Sequence, residues 1–331
     1  MNPEVRYNLH ERGQPMPYQL SDKLVIGISS RALFDLEYEN RIYDEKGLVE
    51  YAKYEIEHEN DVLKPGTAFS LIKALLHLND KFKSPIVEVI ILSRNSPETG
   101  LRVFNSIDRL DLGIIRAGFT GGEKTAKYLK AFDVDLFLSK NETDVQEAID
   151  AGVAAALIYD MPKDYTPDDQ EIRIAFDGDA VIFSEEAEAI YQRDGLEAFI
   201  EHERANAEKA LPDGPFARLL RTLSTIKEKY PNMLRIAIIT ARNNPAHKRV
   251  ILTLRQWGVN VDEAFFLGGV EKKEILKAFN AHIFFDDQDT HVKPASSEIP
   301  SGRVPYKSGS EMTEITDQKK NSSKSMSDNR S

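Results

Sequence analysis

The sequence predicts an α/β fold made of two duplicated parallel-sheet domains, the second with a helical cap insertion. Three observations carry this expectation. First, short apolar runs such as "VEVIIL" (87–92), "LFL" (136–138), "IAII" (236–239) and "IFF" (283–285) alternate with longer helical patterns such as "FSLIKALLHLNDKF". That alternation covers both faces of a parallel sheet and leaves its strands apolar throughout. Second, the chain matches itself across its midpoint. Third, several of the second half's strand ends carry a carboxylate, a hydroxyl or a lysine.

The self-match runs in one order along both halves. "IYDEKGLVEYAKYEIEHEN" from Ile42 lies beside "IYQRDGLEAFIEHERANAE" from Ile190, an offset of 190 − 42 = 148. "FSLIKALLHLNDKF" lies beside "FARLLRTLSTIKEKY", "VIILSRNSP" beside "AIITARNNP", "FTGGEK" beside "FLGGVEK", and "DLFLSKNETDV" beside "HIFFDDQDTHV". The repeat is far longer than a solenoid unit, so it reads as a duplicated domain. The polar, Pro-containing "MPKDYTPDDQ" (161–170) separates the copies as a linker. The boundaries expected are 21–160 for the first domain and 171–306 for the second, with its cap at about 184–214. Residues 307–331 are Ser-, Lys-, Asn- and Asp-rich and read as a disordered tail.

Composition narrows the function classes. With 331 residues, 41% hydrophobic and 29% charged, the chain suits two globular domains. No apolar run approaches the roughly 20 residues that cross a bilayer. The first twenty residues have no signal-peptide centre, so a cytoplasmic protein without membrane contact is expected. The chain has no cysteine, which excludes disulfides and thiolate chemistry. A net charge of −11 argues against nucleic acid as a partner but permits a small phosphorylated ligand.

The chemistry is written in the second half. "IRIAFDGDAVIF" (172–183) sets Asp177 and Asp179 after an apolar strand; Thr240, Lys272 and the pair Asp286–Asp287 follow at later strand ends. Carboxyl ends of parallel strands share one edge, where ligands bind, so these residues converge. Their types suit phosphoryl transfer through an aspartyl-phosphate. A carboxylate attacks phosphorus, a hard cation such as Mg²⁺ screens the meeting anions, and the second carboxylate handles the leaving-group proton. Thr240 and Lys272 would hold the phosphoryl oxygens. Read singly, each has a plainer account: Asp-x-Asp as a capped turn, Thr240 as a helix N-cap, Lys272 in "EKKEILK" as a solvated helix face. His202, His247, His282 and His291 lack metal-ligand spacing and read as structural or surface groups.

This constellation resembles the haloacid dehalogenase superfamily, whose domains are Rossmann-like. More closely, residues 24 to about 306 resemble the cytosolic 5'-nucleotidase I family through "SSRALFD", "RIAFDGDAV", "TAR", "WG…DEAFFLGG" and "HIFFDDQ". The resemblance implies Mg²⁺-dependent hydrolysis of nucleoside 5'-monophosphates, AMP above all. It makes Asp177 the nucleophile and Asp179 the general acid/base. Asp287 becomes a metal ligand with Asp286 beside it, completing a metal set of Asp177, Asp179, Asp286 and Asp287. Thr240, Ala241, Arg242 and Lys272 become phosphate and substrate contacts, with Lys273 an alternative to Lys272. The charged helical insertion after Asp179 is the expected cap, and Phe199, His202, Glu203 and Asn206 are its substrate candidates by location. The family also implies nucleotide activation in some members. A nucleotide effector and a homo-oligomer are therefore carried as partner expectations.

The first half has lost the carboxylates. Ser29 and Arg31 stand against Asp177 and Asp179, Ser139 and Lys140 against Asp286 and Asp287, while Ser93 and Lys124 match Thr240 and Lys272. Ser29, Arg31, Ser93, Lys124 and Lys140 thus outline a second, metal-free anion site. The alternative is a scaffold whose cations are paired to acids such as Asp35 or Glu37. Two other functions stay open at this point: a phosphatase of sugar phosphates or other small esters, and a nucleotide-sensing binding protein.

Overall fold

The computed structural model describes residues 18–168 and 171–328, with side chains through 320. In chain order its strands are β1 (Leu24–Ile28), β2 (Phe34–Asp35), β3 (Lys64–Pro65), β4 (Val87–Ser93), β5 (Arg116–Phe119), β6 (Leu136–Ser139) and β7 (Ala154–Ile158). The second half adds β8 (Ile172–Phe176), β9 (Leu234–Thr240), β10 (Glu263–Phe266), β11 (Ile283–Asp286) and β12 (Ser301–Arg303). β2 and β3 form a small antiparallel pair, and the other ten strands form one continuous sheet.

The order of that sheet is β10-β9-β8-β11-β12-β7-β6-β1-β4-β5. Within each half every pair is parallel, with β8 between β11 and β9 and β1 between β6 and β4. The halves join through one antiparallel seam, Gly302 against Ile158 and Arg303 against Leu157. The carboxyl ends of the two parallel sets therefore point in opposite directions. Central strands such as β4 are buried along their whole length, as the uninterrupted "VEVIILS" requires. The edge strands β5 and β10 are only partly buried.

Two long helices complete the parts that matter for the site, Glu37–Glu57 and Glu186–Ala205. Each bends at a glycine whose backbone no other residue adopts comfortably: Gly47 (φ 82, ψ −179) and Gly195 (φ 86, ψ −177). Behind the second-half strands, Phe176, Phe216 and Phe285 stack with ring centroids 5.0–6.3 Å apart and anchor the sheet to the helix Ala217–Lys229.

The segment after Tyr306 differs from expectation. It forms a helix, Glu311–Asp328, rather than a disordered tail. Its start is fastened to the body: Met312 is buried, Ser310 Oγ donates to Glu185 at 2.9 Å, and Glu311 pairs with Arg193. A polar composition concealed one buried methionine and these few side-chain ties. No helix among the described residues is long and apolar enough to cross a membrane.

Candidate active site

The carboxyl ends of β8, β9 and β11 lie side by side, and they bring the predicted residues together. Asp177 follows β8, its backbone N–H bonded to Phe285 O at 2.7 Å on β11. The chain then makes a wide turn, with Ala180 in the left-handed region (φ 58, ψ 0). Gly178 lets that turn pass close to β9, since a Cβ there would lie 3.3 Å from Thr240 Oγ1. Thr240 is buried at the end of β9, and its Oγ1 accepts from the Arg242 backbone N–H at 3.2 Å. Ala241 is exposed beside it.

Asp177, Asp286 and Asp287 each present a carboxylate oxygen, the three lying within 4.8 Å of one another. All three residues are buried. Lys272 reaches into the same space from the start of the helix Lys273–Phe279, with Nζ 2.8 Å from Asp177 Oδ1 and 2.6 Å from Asp286 Oδ2. Lys273 turns away to Glu298, which settles which lysine faces the site. His291 Nδ1 stands 3.2 Å from Asp286 Oδ2, so this histidine borders the cluster rather than being incidental surface.

The electrostatics are lopsided, with three buried carboxylates facing one ammonium. Burial pushes Asp177 up to about 7 against the pull of Lys272, with Asp286 and Asp179 adding to the rise. Burial, then Asp286 and Asp177, raise Asp287 well above the usual carboxylate range. Burial opposes the charge on Asp286 as well, but Lys272 and His291 outweigh it and hold that carboxyl low. Burial likewise opposes the Lys272 ammonium, yet Asp177 and Asp286 raise it. Asp287 Oδ1 is buried without a hydrogen-bond partner. An orphaned oxygen beside two further carboxylates fits a hard divalent cation, which would supply the missing positive charge.

Asp179, expected among the metal ligands, lies outside that group. Both its oxygens are held in a fork by Arg242, at 2.6 and 2.7 Å. Arg242 is itself buried and pairs with Glu203 on the helix Glu186–Ala205, and Glu203 pairs in turn with Arg249 at 2.8 Å. The Arg242 guanidinium also stands 5.5 Å from the Phe199 ring centroid. Of the other insertion candidates, His202 approaches Arg249 at 3.3 Å and Asn206 Nδ2 donates to His202 O at 2.9 Å. Arg242 was expected to contact substrate; in this structure its guanidinium is spent on Asp179 and Glu203.

The five residues outlined as a second anion site carry their own partners. Arg31 and Lys140 meet on Glu37, at 3.1 and 2.9 Å, and Lys140 also holds Asp160 at 2.7 Å. Lys124 swings out to Glu147 at 2.6 Å. Ser29 Oγ caps the short helix that follows it, and Ser93 Oγ donates to Asn95 at 2.5 Å. The charge inversion read from the aligned positions is offset by Glu37 and Asp160, which lie off the aligned positions.

Tyr306 was missed. Its hydroxyl donates to Asp287 Oδ2, and burial and Asp287 together raise the phenol far above its ordinary value. A signal existed, because an offset of 147 sets Tyr306 opposite Tyr159, and both follow the last strand of a half.

A family profile described as 5'-nucleotidase matches residues 16–311. Human cytosolic 5'-nucleotidase 1B is 35% identical over 296 residues, covering 85% of this chain and 48% of that protein. The chain thus spans about half the length of the curated relative it matches. Similarity to solved structures is weak. A chain of a Pnkp1/Rnl/Hen1 complex shares 12% identity at a TM-score of 0.32, covering 86% of this chain and 97% of that one. Histidinol dehydrogenase from Elizabethkingia anophelis shares 9% at 0.22, covering 87% and 81%. Neither carries an argument about fold or function.

Proposed function

Because the chain belongs to the 5'-nucleotidase family, we propose that it hydrolyses nucleoside 5'-monophosphates, AMP foremost, with Mg²⁺ and through an aspartyl-phosphate. The observation that carries this is the buried group of Asp177, Asp286 and Asp287 with Lys272 paired to the first two.

Asp177, Asp286 and Asp287 would hold the cation, and Asp177 keeps one oxygen for attack on phosphorus. A divalent cation held there would supply positive charge between the phosphate and these carboxylates. Thr240 and Lys272 bind the phosphoryl oxygens, the lysine neutralising charge as it builds. Asp179 protonates the leaving 5'-oxygen and later deprotonates the attacking water. Its fork with Arg242 takes one lone pair of each oxygen and leaves the other for the proton. Asp177 then releases phosphate as its acyl phosphate is hydrolysed.

Two further readings belong to this proposal. The halves are copies of one unit, supported by the matching strand orders and by the twin bends at Gly47 and Gly195. The helix Glu186–Ala205 is the cap over the site, supported by Glu203 reaching Arg242 and by half-buried Glu188, which burial and Asp179 push up. A cytosolic setting is taken from the relative's name. A nucleotide effector stays outside the proposal, since the first half's cations already hold carboxylates.

Phosphate release from a panel of monophosphates, with and without EDTA, tests the reading. AMP should surpass glucose 6-phosphate in kcat/KM, and EDTA should stop both. Equal rates on the two esters would favour a general phosphatase; turnover unaffected by EDTA would remove the metal.

A further inference from the structure

The seam between the halves places part of the first half against the second half's site. β12 runs antiparallel to β7, so the chain leaving β12 descends beside the helix that precedes β7, Glu142–Asp150. That chain, residues 304–310, starts against β11, where the Val304 N–H bonds Asp286 O at 2.9 Å, and is tied by side chains at three further places. Gln146 Nε2 donates to Tyr306 O at 2.9 Å. Ser308 donates its N–H and its hydroxyl to Asp150, at 2.8 and 2.7 Å. Ser310 and the backbone of Met312 bond Glu185, just before the helix Glu186–Ala205. Tyr306 thus carries the first tie on its backbone and reaches Asp287 with its hydroxyl.

The space under this strap is not filled. A cavity of about 460 Å³ lies there, lined by Ile149, Val153, Ala180, Ser184 and Tyr306 among others. Val304 and Pro305, just before it, are buried, so packing fixes the chain there and hydrogen bonds fix the Tyr306 hydroxyl and the residues after it.

We propose that Tyr306 is a positioning residue for metal binding, and that the first half braces it through Gln146 and Asp150. The inference rests on the metal reading of Asp177, Asp286 and Asp287. Asp287 is crowded by two carboxylates, and an unrestrained side chain would rotate away from them. The tyrosyl hydroxyl fixes Oδ2, Oδ1 is buried without a hydrogen-bond partner, and one oxygen of this carboxylate lies within 4.8 Å of oxygens of the other two acids. Hydrogen-bonded partners of metal ligands commonly set affinity by about 10–100-fold. The half without catalytic carboxylates thereby contributes to the geometry of the half that has them.

The test is Mg²⁺ titrated into substrate-free protein, followed by calorimetry and by the rise in Tm. Wild type, Tyr306→Phe, Asp150→Ala and Asp287→Asn are compared. Tyr306→Phe should bind Mg²⁺ about 10-fold more weakly, with a Tm in EDTA close to wild type, and excess Mg²⁺ should restore phosphate release. Asp150→Ala should weaken binding in the same direction but less, and it serves alone if Tyr306→Phe does not fold. Unchanged affinity in Tyr306→Phe, with Asp287→Asn impaired, overturns the positioning role and leaves the metal reading standing. Unchanged affinity in Asp150→Ala alone overturns the brace. Mg²⁺ binding that is absent in wild type, or indifferent to Asp287→Asn, overturns both the inference and the reading beneath it.

Discussion

In the first half, buried Arg102 lies between two carboxylates, Glu39 at 2.9 Å and Glu55 at 3.5 Å. In the second, buried Glu203 lies between two guanidiniums, Arg249 and Arg242. The shared members occupy matched positions: Glu55 with Glu203, and Arg102 with Arg249. This pair ties each bent helix to its half, and it serves whether or not a site exists nearby. The third member differs. Glu39 closes the first cluster within its own helix, whereas Arg242 carries the second one outward to Asp179. Asn95 stands where Arg242 would, bonded to Tyr51 at 2.7 Å, and Phe199 stands where Tyr51 would. The brace is thus common to both halves, and in the second it is joined to Asp179 of the candidate site.

The sharpest way to break this comparison is at the first strand ends. Asp177→Asn should lower Mg²⁺-dependent phosphate release at least about 10³-fold, as loss of a nucleophile does elsewhere, with the circular dichroism of wild type. Ser29→Ala removes only a helix cap, costs about 1 kcal/mol in urea unfolding, and leaves turnover intact. Residual activity near wild type in Asp177→Asn would end the covalent mechanism.

Next in size are the braces themselves. Arg102→Ala strands the buried carboxyls of Glu39 and Glu55 and should cost about 3–5 kcal/mol in denaturant unfolding, whereas Arg249→Ala leaves Glu203 paired with Arg242 and should cost less. A large loss in one and none in the other would show that the matched pairs do different work.

A smaller effect separates the clusters by pH. Burial pushes Glu55 up to about 7 against Arg102, with Glu39 adding to the rise. Its folded value then exceeds its unfolded one, so the folded state binds the extra proton. The stability this gives is full below about pH 4.5 and is lost as pH rises through about 7. Glu55→Gln should match wild type in Tm near pH 5 and exceed it at pH 8. A difference that does not change with pH would place the proton elsewhere.

The smallest effect is expected at the cations of the first half. Arg31→Ala with Lys140→Ala removes partly exposed pairs worth about 0–1 kcal/mol each. Phosphate release should not change, with or without added ADP, ATP or GTP. A lost nucleotide response in the double variant would restore the anion site whose cations Glu37 and Asp160 hold.

How far the sequence disclosed this molecule depends on what each residue type signals alone. The sheet strands were readable because burial on both faces leaves runs such as "VEVIILS" and "IFFD" mostly apolar up to the polar residue that closes them. Asp177, Thr240, Lys272 and Asp286 were readable because each closes or follows such a strand. The buried ion clusters were not. Arg102, Glu55, Arg249 and Glu203 sit in charge-rich helices, where a buried pair and a solvated one have the same spelling. The fork on Asp179 was hidden for the same reason, since Arg242 reads equally as a phosphate contact. The strap failed differently: its anchors are hydroxyls and backbone groups, and a run of serines and lysines is what a loose tail also looks like.

The antiparallel seam has a consequence for how the two halves can change. Loops at the carboxyl ends of the first half open away from the second half's cleft, so insertions there lengthen the protein without obstructing the site. The opposite edge has no such freedom. Gly152 and Val153, in the turn after the helix Glu142–Asp150, line the same cavity as Ala180 and Tyr306. In most parallel sheets the carboxyl edge is where substitution is dangerous. For this first half the danger moves to the other edge, and a scan of tolerated insertions should find its gap at residues 150–153 rather than at the serine and lysine that mark the lost site.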